Sequence, residues 1–145
     1  MVRIVRFHEI GGPGVLCLDQ VPENNPGPGE VRIKVEAIGL NRAEVMLREG
    51  LSHEQPVFPS RIGYEAAGVV DAVGEGVRAP KKGDRVATVP SFALSQTHQG
   101  VYGESAVVPA EVAEPYPANL SSSSTDPQRP RRVRQQRGRP YRGYP

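Results

Sequence analysis

Catalysis and ligation need side chains that can hold a metal, attack, or move a proton, and this 145-residue chain offers few of them close together. It has one cysteine, Cys17, and three histidines, His8, His53 and His98, which fall at separate strand ends or loops. None of these has metal-ligand spacing, and a zinc site needs several thiolate or imidazole donors converging on one point. No Gly-x-Ser-x-Gly nucleophile elbow and no Walker loop is present. Gly74-Glu-Gly76-Val-Arg-Ala79 does match the loose dinucleotide fingerprint Gly-x-Gly-x-x-Ala. That fingerprint works only where a helix N-terminus faces a pyrophosphate. Here Pro80 follows at once, and Lys81-Lys82-Gly83 cannot continue a useful helix. A hairpin turn is expected instead. Asn41 stands where an extended segment gives way to helix formers, and its chemistry alone favours the reading that it caps that helix.

The elements around these residues are mostly short strands. Val2–Phe7 and Val15–Val21 read as a pair of strands separated by a glycine-rich turn, with Val2, Ile4 and Arg6 on one face of the first and Val5 and Phe7 on the other. After the turn-rich loop Pro22–Gly29, the residues Val31, Ile33, Val35 and Ala37 alternate with Arg32, Lys34 and Glu36, the period of a half-buried strand. Arg42–Glu49 predicts a helix closed by Gly50. Gly68–Val73, Arg85–Val89 and Ser105–Val108 predict further strands, and Pro90–Gln99 a loop. The fold class is therefore mainly β, a small partly open barrel with one or two short helices.

Composition divides the chain into two parts. Sixteen Gly and fifteen Pro indicate many turns, and the absence of Trp leaves the core to Val, Ile, Leu and Ala. Met1–Leu120 carries 11 basic and 15 acidic residues, whereas Ser121–Pro145 carries 7 Arg against Asp126 alone. With only Val133, Tyr141 and Tyr144 apolar, residues 121–145 cannot bury enough surface to offset chain entropy and are expected to be a disordered basic tail. No segment has the roughly 20 apolar residues of a membrane span or the pattern of a signal peptide. With a lone cysteine, the chain is expected in the reducing cytoplasm, with no membrane partner.

Three stretches fix a resemblance: GPGEVRIKVEAIGLNRAEVMLREG (Gly27–Gly50), RIGYEAAGVVDAVGEGVRAPKKGDRV (Arg61–Val86) and GVYGESAVVPAEV (Gly100–Val112). In this order and spacing they resemble the N-terminal, GroES-like domain of the medium-chain dehydrogenase/reductase superfamily, in its zinc-free quinone oxidoreductase branch. The resemblance covers almost all of residues 1–120. It implies a GroES-like barrel facing a Rossmann domain, with hydride passing from NADP(H) to a small quinone or conjugated enone between them.

The resemblance also assigns residues. In the zinc-dependent branch a catalytic Cys stands at the position of Asn41 and a His at that of Tyr64, so no metal is expected here. Asn41 is implied in orienting substrate or nicotinamide, and Tyr64 in facing the cleft as a catalytic residue; packing near a strand start with its hydroxyl in water is the other reading of Tyr64. Met46 stands where the quinone reductases often carry a Tyr against the substrate, which makes it a substrate-cleft residue; core filling is the other reading. Glu65 and Asp84 are given turn and strand-end hydrogen bonds. The Rossmann half would need about 150–200 further residues, and the sequence turns instead to Ser and Arg after Leu120. The expectation is a chain truncated or frameshifted there, inactive alone and unable to bind NADP(H) alone. A free-standing binding module, or nucleic-acid binding through the Arg-rich tail, stand as alternatives, although nucleic acid is not the expected partner. Oligomeric state is left open.

Overall fold

The computed structural model describes residues 1–91, 94–117 and 119–122. The disorder expected of the basic tail falls on residues 123–145, outside the described residues, apart from Ser121 and Ser122.

In chain order the elements are β1 (Val2–Phe7), β2 (Leu16–Val21), β3 (Glu30–Gly39), α1 (Arg42–Arg48), β4 (Ser60–Arg61), β5 (Glu65–Val73), β6 (Arg85–Thr88), α2 (Gln96–Gln99), β7 (Ser105–Pro109) and β8 (Ala113–Pro115). They form two antiparallel sheets, ordered β2-β1-β4 and β7-β3-β5-β6-β8. The sheets meet but do not close into a full barrel. Residues Tyr102–Glu104 stitch them together: Val5 donates its N–H to the Tyr102 carbonyl at 2.9 Å and Val35 donates to the Glu104 carbonyl at 3.0 Å. The mainly β, partly open architecture expected from the sequence is what forms.

β3 shows why. Val31 and Ile33 are fully buried, as alternation requires, and the strand holds β5 on one side and β7 on the other. With Val70, Val86 and Val108 they make an aliphatic core that takes in Leu47 from α1 and Phe7 from β1. Burying each such side chain contributes about 1.5–3 kcal/mol. In β1 both Ile4 and Phe7 are buried, so both faces of this strand are covered; Phe7 meets Phe58 edge-on, with ring centroids 5.8 Å apart.

The structure corrects several boundaries. β5 begins at Glu65, three residues before the strand expected from Gly68, because Glu65, Ala66 and Ala67 are buried and show no alternation. The loop expected over Pro90–Gln99 contains α2, which places His98 on a helical turn. β4 and β8 are short pairings added by tertiary contacts. Between Gly74 and Asp84 the chain turns, with Gly76 at φ 79°, and brings β6 back antiparallel to β5 with no helix in between. No helix among the described residues is long and apolar enough to cross a membrane.

Candidate functional site

The end of β3 turns a sharp corner into α1, and a buried carboxylate organises that corner. Asn41 is extended (φ −120°, ψ 144°) and stands at the N-cap of α1. Three residues on, Glu44 is only 4% exposed. Its Oε2 accepts the Asn41 backbone N–H at 2.8 Å, the reciprocal arm of a capping box. The Asn41 side-chain NH2 reaches Oε1 at 3.5 Å, a weak contact. Oε1 also accepts the Tyr64 backbone N–H at 3.2 Å, and the Tyr102 hydroxyl donates to Oε2. One carboxylate therefore joins the helix start, the segment entering β5 and the segment before β7.

Tyr102 completes the arrangement. Burial, then its hydrogen bond to Glu44, and then the charges of Glu44 and Glu65 push its phenol well above the usual tyrosine range. It stays a donor at any ordinary pH. Its single hydrogen is shared between Glu44 and the Gly39 carbonyl, whose oxygen lies 2.7 Å from the hydroxyl. Gly63, at φ 106°, makes room for this ring, because a Cβ at that position would run into it. On the other side Thr88, 1% exposed, donates its hydroxyl to the Tyr64 carbonyl at 2.8 Å and accepts the Ala66 N–H at 2.8 Å. The backbone of Tyr64 is thus gripped at both its N–H and its carbonyl.

Beside the corner lies a pocket of about 520 Å³ whose lining includes Met46, His53, Glu54, Tyr64, Leu94 and Ser95. The structure brings Met46 and Tyr64 together on this wall. Asn41 is not on its described lining, and Glu44 links the two by holding the backbones of both Asn41 and Tyr64. Met46 is 41% exposed, a wall residue with one side open. Ile38, Leu40, Val45 and Val89 are also substantially exposed at this end of the five-stranded sheet.

His8 contacts Asp19 at 3.1 Å, His53 lines the pocket, and His98 sits on α2. Among the described residues no three His, Cys, Asp or Glu side chains gather where a metal could bind. An amide and a phenol at positions 41 and 64 do not fit a zinc centre. Asp84 accepts the Lys81 N–H at 2.7 Å, a turn contact. Glu44 and Tyr102 were not among the residues that sequence reasoning singled out. The Asn-x-x-Glu spacing from Asn41 was a usable signal for the first; nothing local marks the second.

Residues 27–118 match the alcohol dehydrogenase GroES-like domain. The chain belongs to that family. Within it, the GroES-like domain falls in the quinone oxidoreductase branch of the medium-chain dehydrogenase/reductase superfamily. It is 36% identical over 115 residues to quinone oxidoreductase 1 of Escherichia coli (strain K12), covering 78% of this chain and 35% of that protein. It is 38% identical over 121 residues to the quinone oxidoreductase of Homo sapiens, covering 83% and 35%. The fold superposes on the crystal structure of Escherichia coli quinone oxidoreductase complexed with NADPH with a TM-score of 0.72 at 33% identity, covering 83% of this chain and 35% of that one. The chain spans about a third of the length of these relatives.

Proposed function

We propose that residues 1–120 form the substrate-side domain of an NADP(H)-dependent oxidoreductase that delivers hydride to a quinone or a conjugated enone. The observation that carries this reading is the pocket beside the corner: Met46 and Tyr64 line it, and Glu44 holds the backbones of Tyr64 and Asn41 on one carboxylate. Relatives named as quinone oxidoreductases, one of them solved with NADPH, support the reaction class. In such a reaction the reduced nicotinamide supplies a hydride, and a proton from water completes the reduction of the acceptor.

As hydride arrives, negative charge develops on the acceptor oxygen, and a fixed donor lowers the barrier by meeting it. Tyr64 on the pocket wall is the donor proposed for that task, Met46 offers a polarisable apolar surface for the ring, and Asn41, off the pocket lining, is proposed to orient substrate or nicotinamide from the corner. The described residues do not fit the phosphates of the cofactor, because the glycine turn Gly11-Gly12 leads only into the three-residue 3-10 helix Pro13–Val15, and no glycine-rich turn among them opens a longer α-helix. NADP(H) binding and turnover are therefore assigned to the domain together with a second one, and neither to this chain alone. The exposed thiol of Cys17 suits a reducing, cytoplasmic setting.

Duroquinone, whose fully methylated ring resists addition of the Cys17 thiol, is the suitable probe. Titrated against the labelled chain, it should shift the amide signals of Met46 and Tyr64 saturably, and Met46→Ala should weaken the binding. Shifts absent, or spread evenly over the surface, would overturn the substrate-side reading. In parallel, NADPH should show no saturable micromolar binding to the chain and no turnover with benzoquinone. Saturable binding would place a cofactor site on the chain itself.

A further inference from the structure

We propose that the cleft between α2 and the loop preceding β3 binds a phosphate-class oxyanion, free or as the monoester of a small molecule, around the guanidinium of Arg61. The cleft, about 430 Å³ in volume, is lined by Arg61, His98, Gln99, Asn24, Asn25 and Glu30 among others. It is separate from the pocket holding Met46 and Tyr64, and the proposal does not depend on the oxidoreductase reading.

Arg61 is placed by β4 directly across from Arg6 in β1. Arg6 has a counter-charge, since its Nε donates to Asp19 at 2.8 Å. Arg61 has none. No carboxylate lies within ion-pair distance of it among the described residues. Its hydrogen bond to the Ser105 carbonyl is long, at 3.4 Å, and its Nε is buried without an acceptor. Burial, and secondarily the charge of Arg6, pull its pKa below the usual arginine value, as expected of a cation short of solvent and counter-ion. A half-buried guanidinium in this state is costly unless something negative joins it.

The remaining lining supplies the donors an oxyanion needs. The Asn25 side-chain oxygen accepts from Arg32 at 3.4 Å, and the Gln99 side-chain oxygen accepts the Ser95 N–H at 3.0 Å. With both oxygens engaged, it is the NH2 groups of these amides that remain for a ligand. His98 is exposed and adds a ring N–H. Glu30 is the one acid on the lining, and its Oε2 is held by the Gly27 N–H at 2.9 Å. A guanidinium with several neutral N–H donors suits a tetrahedral oxyanion, which accepts several charge-assisted hydrogen bonds at once.

The test uses inorganic phosphate, phenyl phosphate and, at matched ionic strength, sodium chloride, each titrated against the whole chain by amide NMR. Phosphate should shift the signals of Arg61, His98 and Gln99 saturably in the millimolar range while chloride does not. Tighter binding of phenyl phosphate would identify a small-molecule monoester as the ligand; equal or weaker binding would identify the free ion. Arg61→Gln should weaken phosphate binding by about tenfold or more without lowering the melting temperature, because it removes an uncompensated charge. His98→Ala, at an exposed position, gives a second reading that does not perturb folding and should weaken binding by a smaller factor. Equal responses to chloride and phosphate, or phosphate binding unchanged in both variants, would overturn the proposal.

Discussion

The two ends of β3 are built on opposite principles. At its start Val31 and Ile33 are fully buried between neighbouring strands. At its finish Ile38 is 44% exposed and Leu40 78% exposed, and the chain is held there by hydrogen bonds converging on the Glu44 carboxylate. Packing tolerates no missing volume but is indifferent to direction. A carboxylate with several donors fixes direction and leaves the neighbouring surface open. The first end is suited to stability, and the second to presenting side chains to something else.

Substitutions along the strand and its corner can break or sharpen this contrast. Ile33→Ala should be the most damaging, costing about 2–5 kcal/mol through lost burial and a residual cavity, read by denaturant unfolding. Glu44→Ala leaves buried donors without an acceptor and should cost about 1–3 kcal/mol. Its amide shift changes should concentrate at Asn41, Tyr64 and Tyr102; a diffuse pattern would show that the carboxylate does not organise the corner.

Tyr102→Phe should cost about 0.5–1.5 kcal/mol at neutral pH. The sign of its pH dependence follows from the raised phenol. The folded state favours the protonated form, so the stabilisation is complete below the unfolded value of about 10 and is lost as pH climbs towards the folded value. The parent chain should therefore lose stability at alkaline pH more steeply than the Phe variant; parallel curves would remove Tyr102 from the account. Ile38→Ala should change stability by no more than about 0.5 kcal/mol. The same strand and the same kind of truncation would then give effects differing several-fold, and a large loss at Ile38 would erase the distinction between the two ends.

Sequence patterning made the packed end readable and left the polar end largely hidden. The alternation from Val31 to Ala37 reports burial directly, and Gly50 marks the close of α1, where it takes φ 72°. The turn character of Gly74–Ala79 also followed from Pro80 and the residues after it. The first residues of β5 escaped because strands buried on both faces lose their alternation and alanine has little β-propensity. β4 is two residues long and exists only because β1 lies beside it. At the site, Asn41, Met46 and Tyr64 came from the family resemblance. The partnership of Glu44 with Tyr102 is a tertiary fact that no local window contains.

That partnership spans 58 residues of chain, whereas the turn between β5 and β6 is closed by near neighbours. Contacts between distant segments have a larger loop-closure cost before they return any stabilisation. The corner can be completed only after the segment carrying Tyr102 has arrived, and it is an early place for the native chain to come apart. Hydrogen exchange would register this as a gradient along a single strand, with slow amides at Ile33 and faster ones towards Gly39. The surface that faces a ligand would then be the part of the molecule that opens without the rest unfolding.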